Sequence, residues 1–221
     1  MKPFRLITAL AVALAATTAS AQVSTSGYEV WAADQSNSVA GEKSRGVRGS
    51  FIWVWDSDDI EAQLAGGPLA PPLGCDGSAK SVGPCDVLDV FPSTLIEHDA
   101  DGPTGQTLAD VGPFGRLHGM IPDPQNLYLN VNLFAPGGGF VGIIDGNTRE
   151  AVALFRVSET NGSSVQRSLH MSFWNSDGSA VLLANLHGKI LERIDVVRDA
   201  DGRITAATFN QAASLSMAAV I

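Results

Sequence analysis

The sequence predicts an all-β protein, and three observations carry that prediction. Short runs that alternate apolar and polar residues, or stay apolar for about four to eight residues, recur between turn signals. Hardly any stretch repeats its apolar residues at helical spacing. A pattern of strands and turns that begins at His118 returns 52 to 53 residues later, from His170.

In chain order, Tyr28 to Ala33 is the first expected strand and Phe51 to Trp55 the second, with a polar, glycine-containing loop between them. Val87 to Phe91 reads as a third, weaker strand. Tyr128 to Leu133 alternates strictly, so Leu129, Val131 and Leu133 face one way and Tyr128, Asn130 and Asn132 the other. A turn at Ala135 to Gly139, a strand over Phe140 to Ile144, the turn Asp145-Gly146-Asn147-Thr148 and a strand over Ala151 to Val157 complete an antiparallel meander. The second copy runs through His170-Met171-Ser172, Asn175-Ser176-Asp177-Gly178, Val181 to Leu186, His187-Gly188-Lys189 and Ile190 to Asp195. It then turns at Asp199-Ala200-Asp201-Gly202 into a last strand. Gln211 to Ile221 reads as a closing strand or a loose tail, with Val23 to Tyr28 as the candidate for a strand that completes the last unit.

The chain has 221 residues, enough for one domain with a sizeable core. Fourteen Lys and Arg stand against 23 Asp and Glu, a net charge of −9, which offers phosphate backbones no attractive field and excludes nucleic acid as a partner. Residues 1–21 read as a secretory signal peptide: Lys2 and Arg5, an apolar run from Leu6 to Ala16, and Ala19-Ser20-Ala21 before Gln22. That run is short of the roughly 20 residues a spanning helix needs, and no other stretch has that length. The expectation is a periplasmic or secreted protein, with no membrane span once the signal is removed. Removal of Lys2 and Arg5 takes the charge to −11. Cys75 and Cys85 lie ten positions apart in a Gly- and Pro-rich loop, and in an oxidising compartment they most simply form a disulfide. Closing so short a loop stabilises the fold by about 2–3 kcal/mol.

Units of the form His, apolar residue, Asp-Pro or Asp-Gly turn, strand, short glycine turn, strand ending Ile-Asp, turn and strand resemble the blades of YVTN and NHL type β-propellers. That wider group includes quinoprotein-like, lactonase-like and methanethiol-oxidase-like domains. The resemblance covers about 118–210 well and 28–117 loosely, where Trp31-Ala32-Ala33-Asp34 and Val54-Trp55-Asp56 take the second- and third-strand places. It implies a propeller domain over 22–221 with blades at 28–117, 118–168 and 169–215. Three blades fall short of the about four to eight that close a ring, so the expectation is an incomplete or fragmentary propeller; self-association to complete the ring and a single domain with one blade overlooked are the alternatives.

The resemblance also implies where a site belongs. Loops that enter the first strand of each blade, and those between second and third strands, open on one face around the channel. His118, His170 and His187 fall there and are the candidate ligands for a transition metal, the one cofactor the sequence suggests. Asp34, Gln35, Asn130 and Asn132 are the candidate ligand-binding residues at the same mouth. Against this stands the reading that the histidines only fix their turns. His98 reads as a surface residue. The Asp99-Ala100-Asp101-Gly102 and Asp199-Ala200-Asp201-Gly202 strings begin like calcium loops but lack the closing Glu. Trp31, Trp53, Trp55 and Trp174 are assigned mainly to packing between blades. The sequence has no Gly-x-Ser-x-Gly elbow, phosphate loop or His-Glu-x-x-His, and Gly137 to Gly139 lies between antiparallel strands rather than before a helix. These readings lean away from an enzyme. They favour an exported binding or scaffold protein that holds a protein or small-molecule ligand on the propeller face. The alternative is a metal-dependent enzyme, lactonase-like or methanethiol-oxidase-like, with an axial histidine site.

Overall fold

Three antiparallel sheets follow one another along the chain in a computed structural model that describes residues 27–34, 51–75, 85–97, 105–111, 116–135, 138–158, 169–186 and 188–217. The signal-peptide reading, the candidate strand from Val23 and the residues Gln35, His98 and His187 lie outside those described.

The first sheet pairs β1 (Glu29–Ala33) with β2 (Phe51–Asp56), Trp31 opposite Val54, and adds β3 (Cys85–Asp86) on the far side of β2. Its connections hold two helices that periodicity does not announce. Asp56 caps α1 (Ser57–Leu64) by accepting the Asp58 N–H at 2.8 Å, and Asp58 and Asp59 lie at the positive end of the helix dipole. Only Ser57 of α1 is buried, so the cap rather than an apolar stripe defines the helix.

The run expected to form a third strand is instead helical. Asp86 accepts the Leu88 N–H at 2.9 Å and opens α2 (Val87–Val90). Val87, Val90 and Phe91, spaced at i, i+3 and i+4, enter the core together. Periodicity alone does not separate strand from helix in an apolar run this short. Cys75 and Cys85 are disulfide-bonded, as expected, with Cα atoms 5.2 Å apart. After a short helix α3 (Leu108–Val111), whose Leu108 is buried, the chain enters the repeat.

The second sheet has β4 (Arg116–Pro122), β5 (Tyr128–Ala135), β6 (Gly138–Asp145) and β7 (Ala151–Arg156) in sequential order. The third has β8 (Leu169–Trp174), β9 (Ala180–Asn185), β10 (Ile190–Arg198) and β11 (Ile204–Phe209). The described part of the tail after Phe209, which ends at Met217, does not cross to the first sheet. A 3-10 turn at Gln211–Ala213 leads into β12 (Leu215–Ser216), which pairs with Ile190 and Leu191 of β10.

The two copies of the repeat match at their first turns. The Asp123 N–H donates to the Tyr128 carbonyl at 2.8 Å and the Asn175 N–H to that of Ala180 at 3.0 Å. Asp123 Oδ1 accepts the Leu127 and Tyr128 N–H groups, while Asn175 Oδ1 accepts the Ala180 N–H. The left-handed position falls on Asn126 (φ 56°) in one copy and Gly178 (φ 71°) in the other, residues that tolerate it.

The sheets stack face to face. On β5, Val131 and Leu133 join a core with Trp31, Ile52 and Val54 of the first sheet, while Tyr128 joins one with Val181, Leu183 and Ile194 of the third. This is the partition that strict alternation predicts. Gly142 of β6 lets α2 approach, because a Cβ there would lie 2.3 Å from the Phe91 ring. β1 packs on β4 as β5 packs on β8, so β1 and β2 hold the second- and third-strand places. The architecture is all-β and propeller-like, and among the described residues the three sheets do not close into a ring. No described helix is long and apolar enough to cross a membrane.

Candidate functional site at the start of the inner strands

β4 and β8 are the edge strands on the same side of consecutive sheets, and each carries a β-bulge near its start. On β4, Leu117 pairs with Leu133 and Gly119 with Asn132, leaving His118 as the extra residue. On β8, Leu169 pairs with Asn185 and Met171 with Ala184, leaving His170 extra. A bulge re-aims the side chain it carries, and here two matching bulges bring the imidazoles together with ring centroids 4.4 Å apart and planes tilted by 42°. His118 is half-buried and His170 exposed. The Asp34 carbonyl accepts the Leu117 N–H at 3.1 Å, which sets the end of β1 beside the same bulge.

Asn130 and Asn132 stand behind this pair, fully buried. Asn130 Nδ2 donates to Ser172 Oγ at 2.6 Å, and Ser172 Oγ donates to Asn132 Oδ1 at 2.5 Å. Asn130 Oδ1 accepts the Ile121 N–H at 3.1 Å, and Asn132 Nδ2 donates to the Gly119 carbonyl at 3.3 Å. Both amides are therefore engaged between β4, β5 and β8, where they tie two sheets together and hold the segment after each bulge. Gly119 allows the close approach: a Cβ there would sit 2.8 Å from Met171 Sδ. Ser172, Gly119 and Met171 escaped the sequence reading. The only signal for them was their place beside the two histidines in the repeated strings His118-Gly119-Met120 and His170-Met171-Ser172.

The other end of β4 and β8 is closed by a different set. Arg198 Nη2 lies 2.8 Å from Asp123 Oδ2, and the guanidinium stacks over Tyr128 (5.1 Å) and Trp174 (5.4 Å). It also donates to the Gly178 and Gly202 carbonyls, while Trp174 Nε1 donates to the Ile121 carbonyl at 3.1 Å. Trp174 thus packs between sheets, but Trp53 and Trp55 stack on each other (5.8 Å, 9°) on the face of the first sheet turned away from the second.

His118 and His170 offer a metal two imidazoles. No group of three or more His, Cys, Asp or Glu that could hold a metal ion occurs among the described residues; the pair supplies two of the three ligands a catalytic zinc site keeps, and His187, the third candidate, lies outside those residues.

No protein-family model matches this chain, and no curated protein does. The site therefore rests on its own geometry.

Proposed function

We propose that the chain is an exported binding or scaffold protein of β-propeller type, of the YVTN and NHL class. It holds a protein or small-molecule ligand at the end of the stack where β4 and β8 begin. The observation that carries this reading is the His118–His170 contact, built twice over by the same bulge. A repeated irregularity that brings two polar rings to one place suits recognition, whereas the opposite end is closed by Arg198, Tyr128 and Trp174. The Cys75–Cys85 disulfide fits an oxidising compartment. A fragment library screened by long-range proton–nitrogen NMR tests it: hits that shift both imidazoles, and are lost in the His118→Ala, His170→Ala double variant, are expected. Hits that leave those rings unmoved overturn the assignment.

The same contact favours one second reading, a metal-dependent propeller enzyme of lactonase-like or methanethiol-oxidase-like kind with an axial histidine site. Titration with zinc(II), copper(II) and nickel(II) decides it. One equivalent taken up by the parent chain and lost on either histidine substitution supports that reading, and no uptake rejects it.

A further inference from the structure

Among the described residues, the middle sheet has a sheet packed on both faces and each outer sheet has one on a single face. The face of the first sheet turned away from the second carries Val30 and Ala32 of β1 and Phe51, Trp53 and Trp55 of β2, all half-buried. The face of the third sheet turned away from the second carries Phe173 (50% exposed), Leu191 (38%) and Val197 (57%), with Leu182 and the partly exposed Arg193–Asp195 ion pair between them.

The repeat says what each face is for. Tyr128, Asn130 and Asn132 of β5 line the face that receives the next sheet, and they are at most 5% exposed. Ala180, Leu182 and Ala184 of β9 hold the corresponding positions one repeat on, with no described sheet against them. The far face of the first sheet corresponds in turn to the Val131, Leu133 and Ile144 face by which the second sheet meets the first. The described stack thus contains a head-to-tail interface twice and leaves each of its halves once, at either end, without a described partner sheet. Head and tail are unlike surfaces, so the contact they make with another copy is heterologous, and such contacts close when the rotation per sheet permits. Two copies supply twice three sheets, within the about four to eight of closed propellers.

We infer that the Phe51–Trp53–Trp55 face of one copy docks on the Phe173–Leu182–Leu191–Val197 face of a second, and that the pair closes into one ring. The interface continues the sheet-on-sheet packing already present in the chain. It concerns the flanks of the stack and not the histidine end, so it stands or falls separately from the binding function above.

Two surface variants test it by light scattering on the full chain. Trp53→Glu blocks the head and Val197→Lys blocks the tail. The parent chain is expected at twice the single-chain mass, and each variant alone at the single-chain mass with an unchanged circular dichroism spectrum. An equimolar mixture of the two variants is expected to return to double mass, because it restores one native interface and sets Glu against Lys in the other. A parent chain that stays monomeric, a variant that stays double, or a mixture that fails to recover overturns the proposal. The single variants exclude a like-with-like dimer, because a head-to-head pair would survive Val197→Lys and a tail-to-tail pair would survive Trp53→Glu.

Discussion

Replacing Ser172 with alanine removes one hydroxyl and leaves two groups stranded. The Ser172 Oγ accepts from Asn130 at 2.6 Å and donates to Asn132 at 2.5 Å, and all three residues are fully buried. Alanine therefore orphans one amide donor and one amide acceptor where water has no access. Each such group costs about 1–3 kcal/mol, which puts the loss at about 2–6 kcal/mol. That is a large part of the ~5–15 kcal/mol by which a domain is usually stable. Urea unfolding followed by tryptophan fluorescence measures it as a lower midpoint at unchanged slope. A second arm isolates the cause: Asn132→Ala already removes one partner, so adding Ser172→Ala should cost less than it does in the parent chain. A loss from Ser172→Ala below about 0.5 kcal/mol, the range of an ordinary surface substitution, would refute the reasoning. So would two effects that add within about 0.5 kcal/mol, as independent sites do.

Three further outcomes are expected. Arg198→Ala leaves the Asp123 carboxylate, wholly buried, without its cation and should cost about 3–5 kcal/mol; adding Asp123→Asn, which keeps the acceptor for the Leu127 and Tyr128 N–H groups, should recover part of the melting temperature. Gly142→Ala drives a methyl into the Phe91 ring and should cost about 1–3 kcal/mol, with partial recovery in the Gly142→Ala, Phe91→Leu pair, read by chemical denaturation. The hydrogen bonds from Arg193, and then from Asn210, hold the Asp195 carboxyl below its ordinary value. A depressed folded-state value stabilises above the unfolded pKa and is lost as pH falls through the folded one. Asp195→Asn should thus flatten the acid limb of a stability-against-pH curve, by less than about 1 kcal/mol because the pair is partly exposed.

The sequence made some of these features legible and hid others for identifiable reasons. Strict alternation over Tyr128 to Leu133 placed each residue on its correct face, because side chains on a strand have no other choice. It did not reveal that the polar face is interior: Asn130 and Asn132 read as residues at an open mouth until Ser172, some 40 positions away, supplied their partner. The repeat put His118 and His170 at corresponding points, and the fold brings them into contact. The bulges that aim them left no mark in composition or period. α1 went unread because its definition lies in the Asp56 cap, and α2 because Val87 to Phe91 fits either period.

The paired bulges have a meaning for the chain as an inherited text. A bulged residue has no opposite number in the ladder: Leu117 and Gly119 pair with consecutive residues of β5, and Leu169 and Met171 with consecutive residues of β9. A chain lacking His118 alone, or His170 alone, keeps every rung on either side of the gap. Strand pairing therefore makes no demand on these two letters, neither for their identity nor for their presence. They are the places on β4 and β8 whose side chains the ladder leaves to the site rather than to the sheet.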